Sequence, residues 1–544
     1  MPVRHIFRSS ALLLVFALPH RSVAQSTTTL LPDATTLPRG VIRFRGLVSW
    51  TRYDELFGTT AASPPNLAAG FSADSLGVRQ IPSLGAAESA IRNLTGFSNF
   101  HLTAGQLVST ANSRVMTAPL AIEYGLTSRL SIGVVVPLVE TRTTLSSQLN
   151  PHLGSANVGP NPALTNAATR TGNAALIQSL TAAAAALQTR LQQCQAAPTT
   201  AGCPALLTQQ AAAAALMQSS GAFGSALADL YGTDAESHPG QAFIPLATDP
   251  SQLAITAKIA SFKQQYLNLL NSDLVNGTIA GAGGPAARTQ MQALLTSVGY
   301  DSLRSADRAS IGDISVGATL QLANSFGDST SRAPLRYRLA VNGTFRIGTG
   351  QPAGSNRLFD VGTGYGQSGV EGGLAADVAL SRRLMISAIG SYTAQLGTVD
   401  VARVPNPANA PFPLDVPFPG TRTAGNVLAV TVIPRWRIAG YFGLNGFYSM
   451  MRTGADQYTL TSFTQADPSV GAAMPPLAPY GAAAATAQQA GVGFSYSTVV
   501  SPDRNPGRIP FELSFSHLET IAGSGGPLAK TFRDQIELRV YFRR

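Results

Sequence analysis

Lysine is almost missing from this chain of 544 residues: Lys258, Lys263 and Lys530 stand alone among 38 basic side chains. Charge is thin altogether, at 12% of residues, with an excess of +10. A nucleic-acid-binding face needs basic residues clustered together, whereas these arginines alternate along strand-like stretches, so no nucleic-acid partner is expected. The preference for arginine over lysine is explained as well by genome composition as by function. After the N-terminal stretch the chain has no apolar run of about 18 residues or more, which excludes a bundle of membrane-spanning helices. Histidine and cysteine are scarce as well. His101, His152 and His238 are scattered without metal-ligand spacing, so no metal and no cofactor is expected.

What the chain does have is a period of two. Residues 115–138 read VMTAPLAIEYGLTSRLSIGVVVPL. Met116, Ala118, Leu120, Ile122 and Tyr124 share one face of the first arm, opposite Val115, Thr117, Pro119, Ala121 and Glu123. After a short turn at residues 125–129, Leu130, Ile132, Val134, Val136 and Leu138 lie opposite Ser131, Gly133, Val135 and Pro137. Alternation of this kind means β-strands. An apolar face of about ten residues with an aromatic at the turn end fits a strand that crosses a bilayer.

The same alternation occupies residues 41–51, where Ile42, Phe44, Val48 and Trp50 oppose Arg43, Arg45 and Ser49. It returns at Ile311 and continues to the end, with hairpins turning near residues 381–383, 439–440 and 501–507. The count comes to about twelve strands, an even number as a single-chain bacterial barrel requires. Short turns at 125–129, 381–383 and 439–440 are expected in the periplasm. Long connections at 59–112, 146–308, 397–421 and 453–485 are expected outside the cell.

Two stretches depart from this period. At the N-terminus Arg4, His5 and Arg8 precede an apolar segment at 11–18, and Ser22-Val23-Ala24 offers a small-x-small cleavage site before Gln25. Residues 1–24 therefore read as a secretory signal, followed by a polar lead-in at 25–38. Residues 59–96, rich in Gly, Pro, Ser and Ala, read as loop.

From residue 146 to 308 the spacing becomes helical. One stripe is Leu176, Leu180, Leu187 and Leu191 within residues 173–196, and residues 204–218 form a second helix. Asp249-Pro250 supplies an N-cap and a first-turn proline for a third, with the stripe Ile255, Ile259, Phe262, Tyr266 and Leu269. Residues 285–298 are a fourth candidate. In an exported protein, Cys194 and Cys203 are expected to pair and staple the turn between the first two helices. The expected organisation is a signal peptide (1–24), three strands with a first extracellular loop (25–145), a helical insert (146–308) and the remaining strands (309–544). The fold class is an all-β transmembrane barrel of antiparallel strands with a large α-helical extracellular insert.

Glu123-Tyr124-Gly125-Leu126-Thr127, followed by Arg129-Leu130-Ser131-Ile132-Gly133 and Pro137, resembles the bacterial outer-membrane family named for a putative meta-pathway of phenol degradation. Gly312-Asp313-Ile314-Ser315-Val316-Gly317-Ala318 and Gly362-Thr363-Gly364 resemble other recurring pieces of it. More loosely, the chain is similar to outer-membrane transporters of long-chain fatty acids and aromatic hydrocarbons. The resemblance covers residues 115–138 and 310–544 and not the insert. It implies a barrel transporter of small, often aromatic or hydrophobic, compounds. Such barrels tend to end on an aromatic residue, whereas Arg543-Arg544 follow Phe542 here; either the barrel-insertion machinery accepts the departure or the last strand is shifted.

The inward face is the informative one. It carries Arg43, Arg45, Arg336, Arg338, Arg346, Arg435, Arg533 and Arg539 beside Glu123, Asp313, Glu371, Asp377, Glu512 and Glu537. Two readings stay open. The positive excess could raise the local concentration of anionic solutes in a channel, or the charges could pair across the barrel and fill it. The functional expectation is an outer-membrane channel for small, hydrophobic, aromatic or anionic solutes, with membrane lipid around it and the insert as lid or plug. The alternative is a closed barrel that presents the insert for recognition. His517 near Ser514 and Ser516 would suit a surface lipase only with an accompanying motif, and none is present, so no enzyme is expected. Gly348-Thr349-Gly350 and Gly362-Thr363-Gly364 lack the Lys and following helix of a phosphate loop and read as strand-end turns.

Overall fold

The computed structural model describes residues 33–57, 65–151, 155–287, 305–326, 335–353, 360–403, 417–460, 484–499, 509–525 and 528–543. The signal peptide and most of the fourth helix candidate lie outside these residues. The chain forms two compact units. One contains Met1–Gly70, Ser109–Ser146 and Val298–Arg544; the other contains Phe71–Val108 and Ser147–Ser297.

The first unit is a closed antiparallel barrel of twelve wall strands. They are β1 (Val41–Phe57), β2 (Leu107–Gly125), β3 (Leu130–Leu149), β4 (Ala306–Ile311 continued by Ile314–Asn324), β5 (Arg336–Ile347) and β6 (Gly369–Ala379). Then come β7 (Leu384–Gln395), β8 (Val427–Arg437), β9 (Phe442–Thr453), β10 (Ala485–Ser497), β11 (Phe511–Gly525) and β12 (Leu528–Arg543). Each strand pairs with its chain neighbour, and β12 pairs with β1, so no sheet edge is left open. Exposed large apolar side chains line the outside, among them Phe44, Leu120, Ile122, Leu138, Phe345, Leu374, Phe494 and Leu538. A closed sheet with an apolar exterior meets the demand of a bilayer that every backbone polar group be paired internally.

β4 is broken at Gly312-Asp313. Its second half pairs with β3 as far as Val135↔Ser315, and its first half from Leu138↔Ile311. Pro137 has no N–H to give there; instead its carbonyl accepts from the Gly312 N–H at 2.8 Å. The first half begins at Ala306, so the strand reaches three residues into the 146–308 span expected for the insert.

The second unit holds α1 (Gly85–Thr95), α2 (Ala167–Ala196), α3 (Cys203–Thr208), α4 (Gln210–Tyr231) and α5 (Pro250–Leu270). Asn166 caps α2 and Asp249 caps α5, with Pro250 in the first turn. The expected stripes Leu176, Leu180, Leu187 and Leu191, and Ile255, Ile259, Phe262 and Tyr266, are buried, while Leu269, the last of the second stripe, is half-buried near the end of α5. Cys194 and Cys203 form a disulfide across the turn between α2 and α3. Asn161 and Asn173 donate to the carbonyls of Tyr231 and Gly232 (3.1 and 3.0 Å), which satisfies the end of α4. α1 forms inside the stretch that composition had assigned to loop. Its buried Ala87, Ile91 and Leu94 follow a helical spacing that the surrounding Gly and Pro obscure. Among the described residues no helix is long and apolar enough to cross a membrane.

Candidate functional site

Because side chains alternate along each strand, the polar residues opposite the apolar exterior share the barrel interior. Arg43, Arg45, Glu123, Asp313 and Asp377 are buried there. They do not act singly. On β1, β2 and β12 an alternating chain of charge runs Glu123–Arg45–Glu537–Arg539, with Arg43 hydrogen-bonded to Glu123. Arg45 Nε is 3.9 Å from Glu123 and 3.8 Å from Glu537, and Arg539 Nη2 is 2.9 Å from Glu537. Arg539 Nη1 also reaches Glu512 at 3.5 Å, and the Tyr541 hydroxyl donates to Glu512 at 2.9 Å.

The centre of this network is a residue that sequence reasoning missed. Asp33, placed in the polar lead-in, comes 3.2 Å from Arg539 and 3.9 Å from Arg435. The chain before β1 folds back into the lumen. Gly40 N–H donates to the Gly125 carbonyl, Leu37 N–H donates to Ser131 Oγ, and the Ala34 carbonyl accepts from Gln321 Nε2. Ala34 is fully buried against Ala340, Ala375 and Ile389. Residues 33–38 thus occupy the lumen beside β3 to β7 at the end that carries the short turns. One aspartate in a featureless polar stretch gives no sequence signal for this.

A second pair lies on β5 and β6, where Arg338 Nη2 is 3.1 Å from Asp377, whose other oxygen accepts from Ser387 Oγ at 2.6 Å. At the opposite, loop end, Asp313 turns inward from the break in β4. It accepts from the N–H groups of Gly350 (2.8 Å) and Tyr365 (2.9 Å) and lies 3.9 Å from Arg346. The Arg346 guanidinium covers the Tyr365 ring at 4.8 Å. Gly350 and Gly364 pack backbone to backbone here, and a Cβ on either would come within 2.9 Å of a neighbouring atom. The two Gly-Thr-Gly stretches therefore make an inward-folded connection between β5 and β6. Glu371 accepts from Thr393 at 3.1 Å nearby.

What the network leaves open is a cavity of about 1050 Å³. It reaches from the turns at Ser381–Arg383 and Gly440–Tyr441 to Gln489, Leu518 and Arg533. From Glu512 to Leu518 along β11 that is roughly 20 Å at 3.3 Å per residue. Arg45, Arg336, Arg435, Arg539, Glu512 and Glu537 line it together with Ile389, Ile433 and Phe447. Arg336 is exposed at the turn end. Of the fourteen residues singled out from sequence, Asp313, Arg346 and Glu371 gather at the loop end and Arg338 with Asp377 on one wall. Arg43, Arg45, Glu123, Arg435, Glu512, Glu537 and Arg539 gather around Asp33, and Arg533 stands apart.

His517 faces outward, with Nδ1 2.7 Å from Asp534, while Ser516 lies on the inner face and donates to Gln535 at 3.3 Å. Histidine and serine are thus on opposite sides of the wall, and no nucleophile–base pair forms. No group of metal-binding residues occurs among the described residues.

No family model and no curated relative matches the chain. The resemblance of its turn motifs to the phenol-degradation family therefore rests on those residues alone. Among solved structures, the chain is similar to an outer membrane channel from Pseudomonas putida F1, with 10% identity and a TM-score of 0.39 over 94% of this chain and 98% of that one. It is also similar to the toluene transporter TodX of Pseudomonas putida, with 11% identity and a TM-score of 0.23 over 93% and 89% of the two chains. A FadL homologue from Pseudomonas aeruginosa gives 9% identity and a TM-score of 0.24 over 93% and 90%.

Proposed function

We propose that this chain is an outer-membrane channel for small solutes, exported by its N-terminal signal and seated with the turn end towards the periplasm. The observation that carries this reading is the 1050 Å³ cavity inside a closed barrel whose outer wall is apolar. Arginine outnumbers carboxylate along the cavity, which raises the local concentration of anions. The apolar Ile389, Ile433 and Phe447 suit a hydrophobic or aromatic body. Residues 33–38 act as the stop that must shift for a solute to pass. By chain order the helical unit is carried in the β1–β2 and β3–β4 connections, and in this reading it serves as an extracellular lid.

The pairing of so many lumen charges favours a second reading, a closed barrel that displays the helical unit for recognition. Single-channel recording in a planar bilayer separates the two. The channel reading expects discrete, anion-preferring openings from the full chain and larger ones when residues 147–297 are replaced by a short turn. Silence from both would leave the closed barrel.

A further inference from the structure

Arg533 differs from the other lumen arginines that are shielded from solvent; Arg336, also without a carboxylate partner among the described residues, is exposed at the turn end. Arg43, Arg45, Arg338, Arg346, Arg435 and Arg539 each have a carboxylate no farther than 3.9 Å away. The Arg533 guanidinium has no ion pair or hydrogen bond among the described residues, and its Nε is buried without a partner. Its surroundings explain why. The register puts Thr51 and Leu518 beside it on β1 and β11, and Thr531 and Gln535 flank it on the same face of β12. Asp534 and Glu519, the nearest carboxylates in sequence, point to the outside of the barrel. The hydroxyl of Thr531 and the amide of Gln535 are already engaged, with Thr520 and Gln489 in one case and Ser49 and Ser516 in the other. An uncompensated positive charge therefore sits in a neutral stretch of the wall at the end of the cavity away from the turns, a costly place to leave it unpaired.

We propose that Arg533 is the binding point for an organic monocarboxylate, held by the guanidinium fork with its apolar body along Leu518 and Phe447. One free cation takes one negative charge, and the planar fork matches a carboxylate bidentately. The cavity is far larger than an inorganic ion needs, and its apolar lining has no use for one. The paired Arg45, Arg435 and Arg539 offer an entering anion a positive path without holding it. The assignment deepens the channel reading and rests on it for the solute's route to Arg533.

The test is equilibrium binding of radiolabelled benzoate to the full chain in nanodiscs, next to single-channel recording on the same preparation. Saturable binding is expected, weakened about ten- to a hundredfold in Arg533→Gln, as loss of a charge-assisted pair implies. Arg533→Lys keeps the charge without the fork and is expected to fall between the two; it also decides the matter if the Gln variant fails to fold. Benzyl alcohol should not compete. Equal binding in Arg533→Gln, no saturable binding to the wild type, or displacement by chloride at equal concentration would each overturn the assignment. Benzoate binding without current supports the site and sinks the channel; current without benzoate binding does the reverse.

Discussion

The Asp33 carboxylate lies 3.2 Å from the Arg539 guanidinium, joining the segment ahead of the first wall strand to the last wall strand across 506 positions of sequence. The contact holds the chain's own N-terminal residues against the inner wall. It also gives Arg539 a third carboxylate beside Glu512 and Glu537.

Asp33→Asn removes the charge and keeps the shape. The segment then loses its attraction to Arg539 and Arg435, and the open state gains. We expect channel opening in planar bilayers to become about tenfold more frequent, the value of one charge-assisted contact. Unchanged opening would mean that Asp33 does not hold the segment.

Glu123 serves Arg43 and Arg45 together. Replacing it by Gln leaves two buried guanidinium groups sharing less negative charge, a loss of about 3 kcal/mol or more. The midpoint of urea unfolding, followed by the loss of the heat-modifiable barrel band, should fall accordingly. Glu371→Gln, whose carboxylate has a hydroxyl partner and, among the described residues, no arginine within ion-pair distance, is the control expected to move it less.

Asp313 accepts two backbone N–H groups that have no other partner among the described residues. Asp313→Ala should therefore loosen the β5–β6 connection at a cost of about 2 kcal/mol or more. Limited proteolysis should reveal new cleavage between Ile347 and Gly369 while the barrel band persists. Protection equal to the wild type would show that the packed glycines hold the connection unaided.

The helical unit carries its own pH response. The Tyr231 hydroxyl donates to Gln252 within the unit, and burial pushes its pKa above the ordinary 10.0. A folded-state pKa above the unfolded one makes this contribution complete below about pH 10 and lost as pH rises towards the folded value. The protection of α4 and α5 against hydrogen exchange, taken relative to the intrinsic rate at each pH, should fall across that interval, and the fall should flatten in Tyr231→Phe.

The sequence carried most of the wall because a strand between lipid and a polar interior must alternate, and twelve such stretches do. The caps at Asp249-Pro250 and the Leu176–Leu191 stripe were equally plain, since each is a local rule that its own neighbours satisfy. What failed to show was partnership. Arg539 and Glu537 read as one polar face, but nothing in their spacing reveals that Asp33 joins them or that Arg533, six residues earlier, has no partner among the described residues. The break in β4 was half visible in Gly312-Asp313, whose inward turn depends on two N–H groups from a connection far along the chain. α1 was hidden by composition, its three buried residues set in a run of Gly, Pro and Ser.

The central claim, that residues 33–38 stop the lumen and must move for conduction, is tested most directly by locking them. Ala34 and Ala375 share one buried cluster. Paired cysteines at these two positions, with Cys194 and Cys203 changed to Ser, should cross-link the segment to β6. Single-channel recording should then be silent under oxidation and regain discrete openings after reduction. Equal current in both states would contradict the account.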